Sequence, residues 1–575
     1  MNPVIHLLFS TNSPHTETSG PCSPPQKYVP SQTCLYNNVY MCSPTTCIVH
    51  YDKTQLPWDG DAGGMETGIT PENQPTSYSP SRGELREIKK TLTAKTLIPV
   101  YHTFADPGIL PANAYETLRQ EYSFLLESIE GNERNARYSV IGTGLFMHLT
   151  ANPDIRITGK YNPAEHIEGS PVSAESLSEL LRCIEYQSPG IPGYAGGLTG
   201  YFSYDLALRT LQVPEIREKP RNFPLAEFII PEEYIIFDHA KKTITILGFL
   251  SGKDSGDLES GYTEILRQIA ATKKTLSQAV TQEREEKLLS FGRTSGPLPE
   301  YTCDVSEKGF CDLVRTAKEY ILNGDIFQAV ISRKCACTCK DDPFRIYRQM
   351  SRLNPSPYMY YLDFSDKQII GASPEMLIKV EDRKVTSVPI AGTRKRGRTP
   401  QEDAALEKEL LADKKECAEH LMLVDLSRND IGRVCRYGSV RVPVFMSVEK
   451  FSHVQHIVST VEGILMDDKT SLDAFISCFP AGTVSGAPKI RAMQIINELE
   501  PASRGLYAGA VGYLGFNGNL DFAILIRTVV VQNETAYFQS GAGIVADSNP
   551  ETEFIESENK AAGMKAAIES AGDLV

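Results

Sequence analysis

The sequence predicts an α+β protein, because strand-like runs and helical patterns alternate along most of its length. Strand-forming residues dominate three segments, Tyr138–Leu149, Phe228–Asp238 and Thr243–Phe249. Apolar residues recur at helical spacing over Phe310–Ile321, and Gly324 follows as a helix stop. With 575 residues, the chain is long enough to bury sizeable cores around both kinds of element.

The composition is that of a globular protein, with 41% hydrophobic and 23% charged residues. A net charge of −14 argues against a nucleic-acid partner and leaves no basic stripe for a membrane surface. No apolar run approaches the roughly 18 residues of a membrane-spanning helix. Thirteen scattered cysteines indicate reduced thiols and a cytoplasmic location rather than a disulfide framework. Cys335, Cys337 and Cys339 alternate along a predicted strand, a spacing that surrounds a metal ion poorly.

Three regions follow one another along the chain. Residues 1–85 are rich in Ser, Pro, Thr, Asn and Gly without a sustained period, which predicts a disordered N-terminal extension. A mis-assigned start would also explain this extension, with Met65 as the candidate first residue. A polar linker at Arg293–Pro299 then separates an N-terminal lobe, residues 86–295, from a C-terminal domain, residues 296–575.

One long helix is predicted over Glu407–Gly432, from a charged run of helix formers followed by an apolar stripe. Glu416, Glu419 and His420 share a face of this helix, because they are separated by three or four residues. On a solvated face these side chains would need no partner. If they are buried, something cationic must neutralise the acidic groups.

A second acidic cluster begins after Asn549, a good N-cap, and Pro550, which suits the first position of a helix. Glu553, Glu556 and Lys560 line one face of that predicted helix. Two acidic helix faces so far apart in the sequence favour burial over solvation. In that case both faces meet the same cation.

Between the two helices, Gln539–Val545 predicts a strand that runs into a Gly-Ala-Gly turn, whose backbone N–H groups can receive an anion. One carboxylate from each helix suits Mg²⁺, which usually takes one or two protein carboxylates besides ligand oxygens and water. The sequence therefore predicts an anionic substrate that is bridged to the protein by Mg²⁺.

Motifs of one known family recur in order from about Thr103 to the C-terminus. They are Leu125–Ser128, Gly196–Tyr201, Asp325–Arg333, Asn354–Tyr361, Gly371–Glu375, Pro389–Arg394, Glu416–Asp430, Gly482–Lys489, Gly509–Tyr513 and Gly541–Gly543. In these motifs the chain resembles the chorismate-utilising enzymes, and most closely their anthranilate synthase component I branch.

The resemblance implies two facing antiparallel β-sheets flanked by helices, with the substrate in a sheet–helix cleft. It also implies the Mg²⁺-dependent conversion of chorismate and ammonia to anthranilate and pyruvate, the first committed step of tryptophan biosynthesis. No segment resembles a glutaminase, so ammonia would come from a separate glutamine amidotransferase subunit, component II of anthranilate synthase.

The resemblance assigns catalytic roles to Glu375, His456 and Thr393. Glu375 would protonate the leaving C4 hydroxyl of chorismate, since hydroxide itself is a poor leaving group. His456 is associated with the elimination of pyruvate, although a histidine in an apolar strand is more often a core residue. Mg²⁺ would be held by Glu419 and Glu556, supported by Glu416 and Glu553. The residues assigned to substrate binding are Gln328, Thr483, Tyr513, Arg527, Gly541, Ala542, Gly543 and Lys560.

Two positions select among the family's reactions. Isochorismate and salicylate synthases resemble one another in having a water-activating lysine where this chain has Gln328. Many aminodeoxychorismate synthases carry a nucleophilic lysine where this chain has Ala391, so free ammonia must attack directly here. The two residues indicate anthranilate synthase. Aminodeoxychorismate synthase component I and a catalytically silent tryptophan-binding homologue are the alternatives.

The resemblance places a feedback site for L-tryptophan in the N-terminal lobe. Ser128 would bind the inhibitor from one side, and Pro357, Met359 and Tyr360 from the other. The presence of both halves predicts a regulated enzyme.

Overall fold

The structure is a computed structural model that describes residues 78–571 apart from 129–136, 187–193, 195, 215–218, 220–221, 253–256, 287–297 and 452–453. Residues 70–575 form one compact unit. Most of the predicted N-terminal extension, with Met65, lies outside the described residues, as does most of the predicted linker.

Twenty-four strands are found among the described residues. They are β1 Thr96–Ala105, β2 Ser123–Glu127, β3 Tyr138–Thr143, β4 Met147–Ala151, β5 Ile155–Gly159, β6 Glu185–Tyr186, β7 Gly197–Phe202, β8 Ala226–Ile230, β9 Glu233–Asp238, β10 Thr243–Ser251, β11 Thr302–Cys303, β12 Gln328–Thr338, β13 Tyr358–Asp363, β14 Gln368–Ser373, β15 Met376–Glu381, β16 Lys384–Ser387, β17 Ile390–Lys395, β18 Arg441–Lys450, β19 Val454–Ile464, β20 Gly486–Ala487, β21 Ala510–Gly515, β22 Leu520–Ile524, β23 Thr528–Gln532 and β24 Thr535–Ile544.

Twelve α-helices accompany these strands in the same part of the chain. They are α1 Arg82–Ile88, α2 Pro111–Leu118, α3 Ala174–Cys183, α4 Tyr204–Thr210, α5 Leu258–Glu286, α6 Glu307–Leu322, α7 Pro343–Leu353, α8 Pro400–Ala412, α9 Lys414–Gly432, α10 Ser471–Cys478, α11 Lys489–Leu499 and α12 Pro550–Ala571.

The strands form two large sheets. The first runs β11-β12-β24-β23-β14-β13-β2-β3-β9-β10-β1-β6, with β20 also paired to β12. The second runs β17-β19-β16-β15-β22-β21-β7-β8-β4-β5, with β18 also paired to β19. Every described pairing between named strands is antiparallel except β1 with β6. The α+β class and the two antiparallel sheets are therefore confirmed, and each sheet takes strands from both predicted lobes.

The main core lies between the two sheets. Tyr234 and Leu362 of the first sheet and Tyr201 and Phe522 of the second are buried in it. A second core covers the outer face of the first sheet, where α5, α7 and α12 pack. The site described below lies where both sheets meet α9 and α12.

The predicted elements are correct in type, and several differ in extent. The helix α6 and the strand β10 confirm their predictions. The run predicted as one strand from Tyr138 is interrupted after Thr143 by Gly144, which has a φ of +77°. The run from Phe228 is interrupted by Pro231, which has no N–H to donate to a ladder.

The expectation of wholly reduced cysteines is wrong at one pair. Cys303 of β11 and Cys335 of β12 are register partners, and a disulfide joins them. Cross-strand partners lie close enough for this bond, which the sequence alone does not reveal. Cys337 and Cys339 are buried free thiols. No group of three or more His, Cys, Asp or Glu able to hold a metal ion occurs among the described residues.

The folded unit begins earlier than residue 86. Ser79 donates its N–H to the carbonyl of Tyr101 at 3.0 Å, and the Tyr262 hydroxyl donates to the carbonyl of Pro80 at 2.6 Å. Leu85 of α1 is buried. Within the described part of the chain, no helix has the length and apolar character needed to cross a membrane.

Candidate active site

The long helix predicted over Glu407–Gly432 is in fact two helices, because Asp413 interrupts it. Asp413 has an extended conformation and ends α8. Its carboxylate then accepts from the N–H groups of Lys415 and Glu416, which makes it the N-cap of α9. Aspartate favours this position over a helix interior, because its short side chain satisfies free N–H groups at a helix start.

Glu419 of α9 faces the beginning of β12. The Gln328 amide nitrogen donates to Oε1 of Glu419 at 3.3 Å. Glu419 makes no ion pair with any residue that the structure describes. Burial raises the pKa of its carboxyl, and the negative charges of Glu416 and Glu556 raise it further. The effect of Glu556 shows that α9 and α12 bring their acidic groups near each other.

Glu416, by contrast, has a cationic partner. Arg394 of β17 lies 3.4 Å from Oε1 of Glu416 through Nη1. The positive charge of Arg394, on the strand β17, thus neutralises Glu416, one of the acidic residues on this face of α9.

The second acidic cluster is placed as predicted at the start of α12. Asn549 Oδ1 accepts from the N–H of Thr552 at 2.9 Å, which confirms the N-cap. Glu553 is buried, and this burial raises the pKa of its carboxyl. Lys560 pairs with Glu556 at 2.7 Å and donates to the carbonyl of Gly541 at 3.1 Å.

The predicted Gly-Ala-Gly turn is wrong, because β24 continues through all three residues. Gly541, Ala542 and Gly543 are register partners of Ser332, Ile331 and Val330 on β12. Gly541 instead allows β24 to lie close to β12, because a Cβ on Gly541 would lie 2.4 Å from the carbonyl oxygen of Ile331.

One edge of this glycine segment is open. The register with β23 ends at Phe538, so no described strand flanks the segment on the side away from β12. The Gly541 carbonyl points to that side, where it meets Lys560. Because N–H and C=O of one residue point the same way in an antiparallel strand, the N–H groups of Gly541 and Gly543 also face this edge. The anion site that the sequence predicts at a turn can therefore exist at a strand edge.

Glu375 lies in the wall of a cleft with about 390 Å³ of empty space, next to Thr483. Burial raises the pKa of its carboxyl to about 7, against smaller lowering effects of Thr483 and of the positive charge of Lys560. The Thr483 hydroxyl nevertheless makes no hydrogen bond of good geometry with any described residue. Near neutral pH a substantial share of Glu375 is protonated, as an acid catalyst requires.

His456 of β19 faces Thr393 of β17 across the sheet. Its Nδ1 lies 2.9 Å from the carbonyl oxygen of Gly392 and 3.1 Å from Oγ1 of Thr393. A carbonyl can only accept, so Nδ1 carries the proton and Nε2 keeps a free lone pair. Burial lowers the pKa of His456, and the positive charge of Arg527 adds to this effect. Both effects favour the neutral form of the ring, against a raising effect of the hydrogen bond to Gly392.

Arg527 is a partly buried cation without a described partner. It pairs with no carboxylate among the described residues, and burial lowers the pKa of its guanidinium. A buried unpaired charge is unfavourable, so this position suits an anionic ligand. Tyr513 does not join Arg527 through any described contact; its ring packs on Tyr194, and it lies near the Asp521 carboxylate.

The segments predicted to bind tryptophan are neighbours. Met359 and Tyr360 of β13 pair with Glu127 and Leu126 of β2, which places Ser128 directly beyond the paired stretch. The Ser128 oxygen is buried and has no hydrogen-bond partner among the described residues.

Met359 and Tyr360 point to opposite faces of the first sheet. The Met359 side chain is buried in the outer core. The Tyr360 hydroxyl and Thr528 Oγ1 lie 2.6 Å apart, between the sheets. These two side chains therefore cannot line the same face of one pocket. Pro357, which precedes β13, is partly exposed.

Sequence reasoning missed two contributors to this region. Arg394 ends the family motif Pro389–Arg394. Its carboxylate partners come later in the chain, so no local sequence pattern reveals these ion pairs. Asp521 of β22 is partly buried and accepts from the Tyr358 hydroxyl at 2.9 Å. Burial raises the pKa of Asp521 to about 6. An acidic residue in a strand gives no sign of burial before the sheets are assembled.

The acidic residues fit a hard divalent cation. Glu419 and Glu556 repel each other across the gap between α9 and α12, and Glu419 has only a neutral amide as a described partner. Two protein carboxylates with open positions for ligand oxygens and water are the usual setting for Mg²⁺. No cluster of three protein ligands is needed for such a site.

Comparisons with known proteins identify the family of this chain. A family model described as chorismate binding enzyme matches residues 121–566. Anthranilate synthase component 1 of Acetivibrio thermocellus is 44% identical over 494 residues, which cover 85% of this chain and 99% of that protein. The same component of Aquifex aeolicus (strain VF5) is 41% identical over 489 residues, covering 85% and 98%.

A solved structure is similar as well. Anthranilate synthase component I from Streptococcus pneumoniae TIGR4 superimposes with a TM-score of 0.63 and 36% sequence identity, covering 80% of this chain and 99% of that one. On the family match and these relatives, the chain belongs to the family of chorismate binding enzymes.

Proposed function

We propose that this protein is the chorismate-converting subunit of an anthranilate synthase. Its overall reaction combines chorismate with ammonia and yields anthranilate, pyruvate and water. The relatives of similar length that bear this name support the proposal, as does the set of side chains gathered around Glu375, Glu419 and His456.

The environment of Gln328 is the observation that favours ammonia over water as the nucleophile. Its amide nitrogen donates to Glu419, which leaves Oε1 as its acceptor atom. This oxygen is buried and has no hydrogen-bond donor among the described residues. A neutral amide cannot remove a proton from water, whereas an unpaired acceptor suits the N–H groups of ammonia.

Chorismate is held through its two carboxylates. Mg²⁺, when bound by Glu419 and Glu556, would neutralise the ring carboxylate there, with Glu416 and Glu553 supporting. Lys560 and the open edge of Gly541–Gly543 receive the same group. Arg527 receives the enolpyruvyl carboxylate, because a guanidinium binds a carboxylate bidentately.

Amination comes first. The nitrogen of ammonia forms a bond to C2, both conjugated double bonds of the ring shift by one position, and the C4–O bond breaks. Glu375 gives its proton to the departing oxygen, which leaves as water. The new ammonium group releases a proton, which restores the acid form of Glu375 by way of solvent.

Elimination follows. Nε2 of His456 takes the proton from C2, the C3–O bond breaks, and pyruvate leaves as its enolate. The enolate takes up a proton from solvent, and His456 releases its proton to solvent. The ring becomes aromatic, and that gain drives the step. Thr393 contacts Nδ1 of His456 and holds the ring in this orientation.

We also propose that ammonia is supplied by a glutamine amidotransferase subunit and that L-tryptophan inhibits the enzyme at Ser128. Ammonia is mostly protonated at neutral pH, so a dedicated source is an advantage. The unpartnered Ser128 oxygen supports a ligand site at the β2–β13 junction.

The test is a pyruvate-release assay on the purified chain. Chorismate, Mg²⁺ and an ammonium salt should together release pyruvate, and omission of any one should stop it. Glutamine should replace ammonium only after a glutaminase subunit is added. Equal release without ammonium would overturn the proposal.

A further inference from the structure

Arg394 is surrounded by three carboxylates at the junction of α8 and α9. Its Nε donates to Glu409 at 3.0 Å and its Nη2 donates to Asp413 at 2.8 Å. Its Nη1 donates to the carbonyl of Thr393 at 3.0 Å and reaches Glu416 at 3.4 Å. The guanidinium is mostly buried, with 21% of the side chain exposed. A fork with this many fixed partners has one orientation.

Asp413 links this fork to the start of α9. One carboxylate oxygen accepts from backbone N–H groups of the first turn, and the other accepts from Arg394. The first turn of α9 is thereby attached to β17. Glu419 lies one turn further along, so its position relative to β17 depends on this attachment.

Glu416 is held on the β17 side of α9. A Cβ on Gly392 would lie 3.3 Å from Glu416 Oε2, so this carboxylate rests against the strand backbone. Arg394 binds its other oxygen. Without the guanidinium, Glu416 would be a free carboxylate one turn from Glu419 and able to turn towards the same cation.

We propose that Arg394 is a positioning residue that withholds Glu416 from direct contact with the divalent cation at Glu419, so that coordination positions stay open for the substrate. This inference rests on the metal site of the proposed function. Mg²⁺ that gains an additional protein carboxylate has one position fewer for the ring carboxylate of the substrate.

The neighbouring Arg396 provides a matched control. Its guanidinium pairs with Asp403 of α8 at 2.9 Å, and it makes no described contact with α9. Arg396→Met therefore removes a similar ion pair two residues away without releasing Glu416.

The test measures Mn²⁺ binding to the full chain by electron paramagnetic resonance, without substrate. Arg394→Met should bind Mn²⁺ about threefold tighter or more, because a freed negative charge is added at the site. The double variant Arg394→Met/Glu416→Gln should return to parental affinity, and Arg396→Met should not differ from the parent. Glu416→Gln alone should weaken Mn²⁺ binding less than Glu419→Gln does, because Glu416 acts on the site through its charge and not as a direct ligand.

Steady-state kinetics supply a second measure. Arg394→Met should raise the KM for chorismate more than it lowers kcat, and Arg394→Lys should restore part of that KM. An Mn²⁺ affinity that is unchanged or weaker in Arg394→Met, or one that falls as far in Glu416→Gln as in Glu419→Gln, would overturn the proposal. If Glu419→Gln does not weaken Mn²⁺ binding in the parent, the metal site itself is wrong and this inference falls with it.

Discussion

The amide nitrogen of Gln328 lies 3.3 Å from Oε1 of Glu419, which joins the first residue of β12 to the helix α9. This contact connects the residue on which we base the choice of ammonia with the residue that we assign to Mg²⁺. A Cβ on Gly543 would lie 2.7 Å from the same amide nitrogen, so the glycine leaves the space that Gln328 occupies.

Loss of either metal carboxylate should abolish turnover. Glu419→Gln and Glu556→Gln keep the side-chain volume but remove the charge that a divalent cation needs. Pyruvate release at ordinary Mg²⁺ concentrations should fall below detection, with the thermal midpoint close to the parent. Asp425→Asn, on an exposed turn of α9, is the control and should be fully active. Near-normal turnover in Glu419→Gln would contradict the assignment.

The pH dependence should report Glu375. Burial raises its pKa to about 7, and the acid form is the active one. The value of kcat/KM, expressed per free ammonia, should therefore be highest below pH 7 and fall as pH rises through that value. The correction for free ammonia matters, because its concentration rises with pH and hides the loss. Glu375→Gln should lose about 10²- to 10⁴-fold in rate, and its kcat/KM should not fall as pH rises through 7. A flat corrected profile in the parent would argue against Glu375 as the acid.

Replacement of His456 should separate the two halves of the reaction. His456→Asn can still donate to the carbonyl of Gly392 but has no basic nitrogen in place of Nε2. Chorismate consumption should continue while pyruvate release slows by about 10²-fold or more, so an aminated intermediate accumulates. Mass spectrometry of stopped reactions measures both quantities. Parallel slowing of consumption and release would place His456 elsewhere in the mechanism.

Ser128→Phe should weaken tryptophan inhibition and leave turnover intact. A lost hydrogen bond to a charged group is worth about 1.5–3 kcal/mol, or roughly ten- to a hundredfold in affinity, before any steric effect. Inhibition curves for the variant and the parent measure the shift. Met350→Leu is the matched control, because Met350 packs in the outer core, is not among the residues assigned to tryptophan, and a volume-conserving change there should leave inhibition unchanged. A parent that ignores millimolar tryptophan would remove the pocket from the account.

The sequence predicts the helix start at Asn549, the stop at Gly324 and the acidic faces of α9 and α12, because these depend on residues a few positions apart. It does not predict the break at Asp413. The surrounding helix formers favour a continuous helix, and the break is stabilised by Arg394 on a strand that precedes it. Local propensity is overridden here by a tertiary contact.

The glycines Gly541 and Gly543 show the same limit. Gly-Ala-Gly suggests a turn, yet these residues allow β12 and Gln328 to approach β24 closely. The disulfide between Cys303 and Cys335 likewise depends on a strand register that no spacing in the sequence reveals. Contacts that depend on strand register cannot be predicted from the spacing of residues along the chain.

The position of the new nitrogen on the ring tests the central claim most directly. The purified chain is incubated with chorismate, Mg²⁺ and ¹⁵N-ammonium, and the product is identified by mass, fluorescence and ¹⁵N NMR. We expect anthranilate, with the label on the carbon next to the carboxyl-bearing carbon and one pyruvate released per product. A product aminated at C4 with its enolpyruvyl group retained would assign the chain to aminodeoxychorismate synthesis and contradict the account.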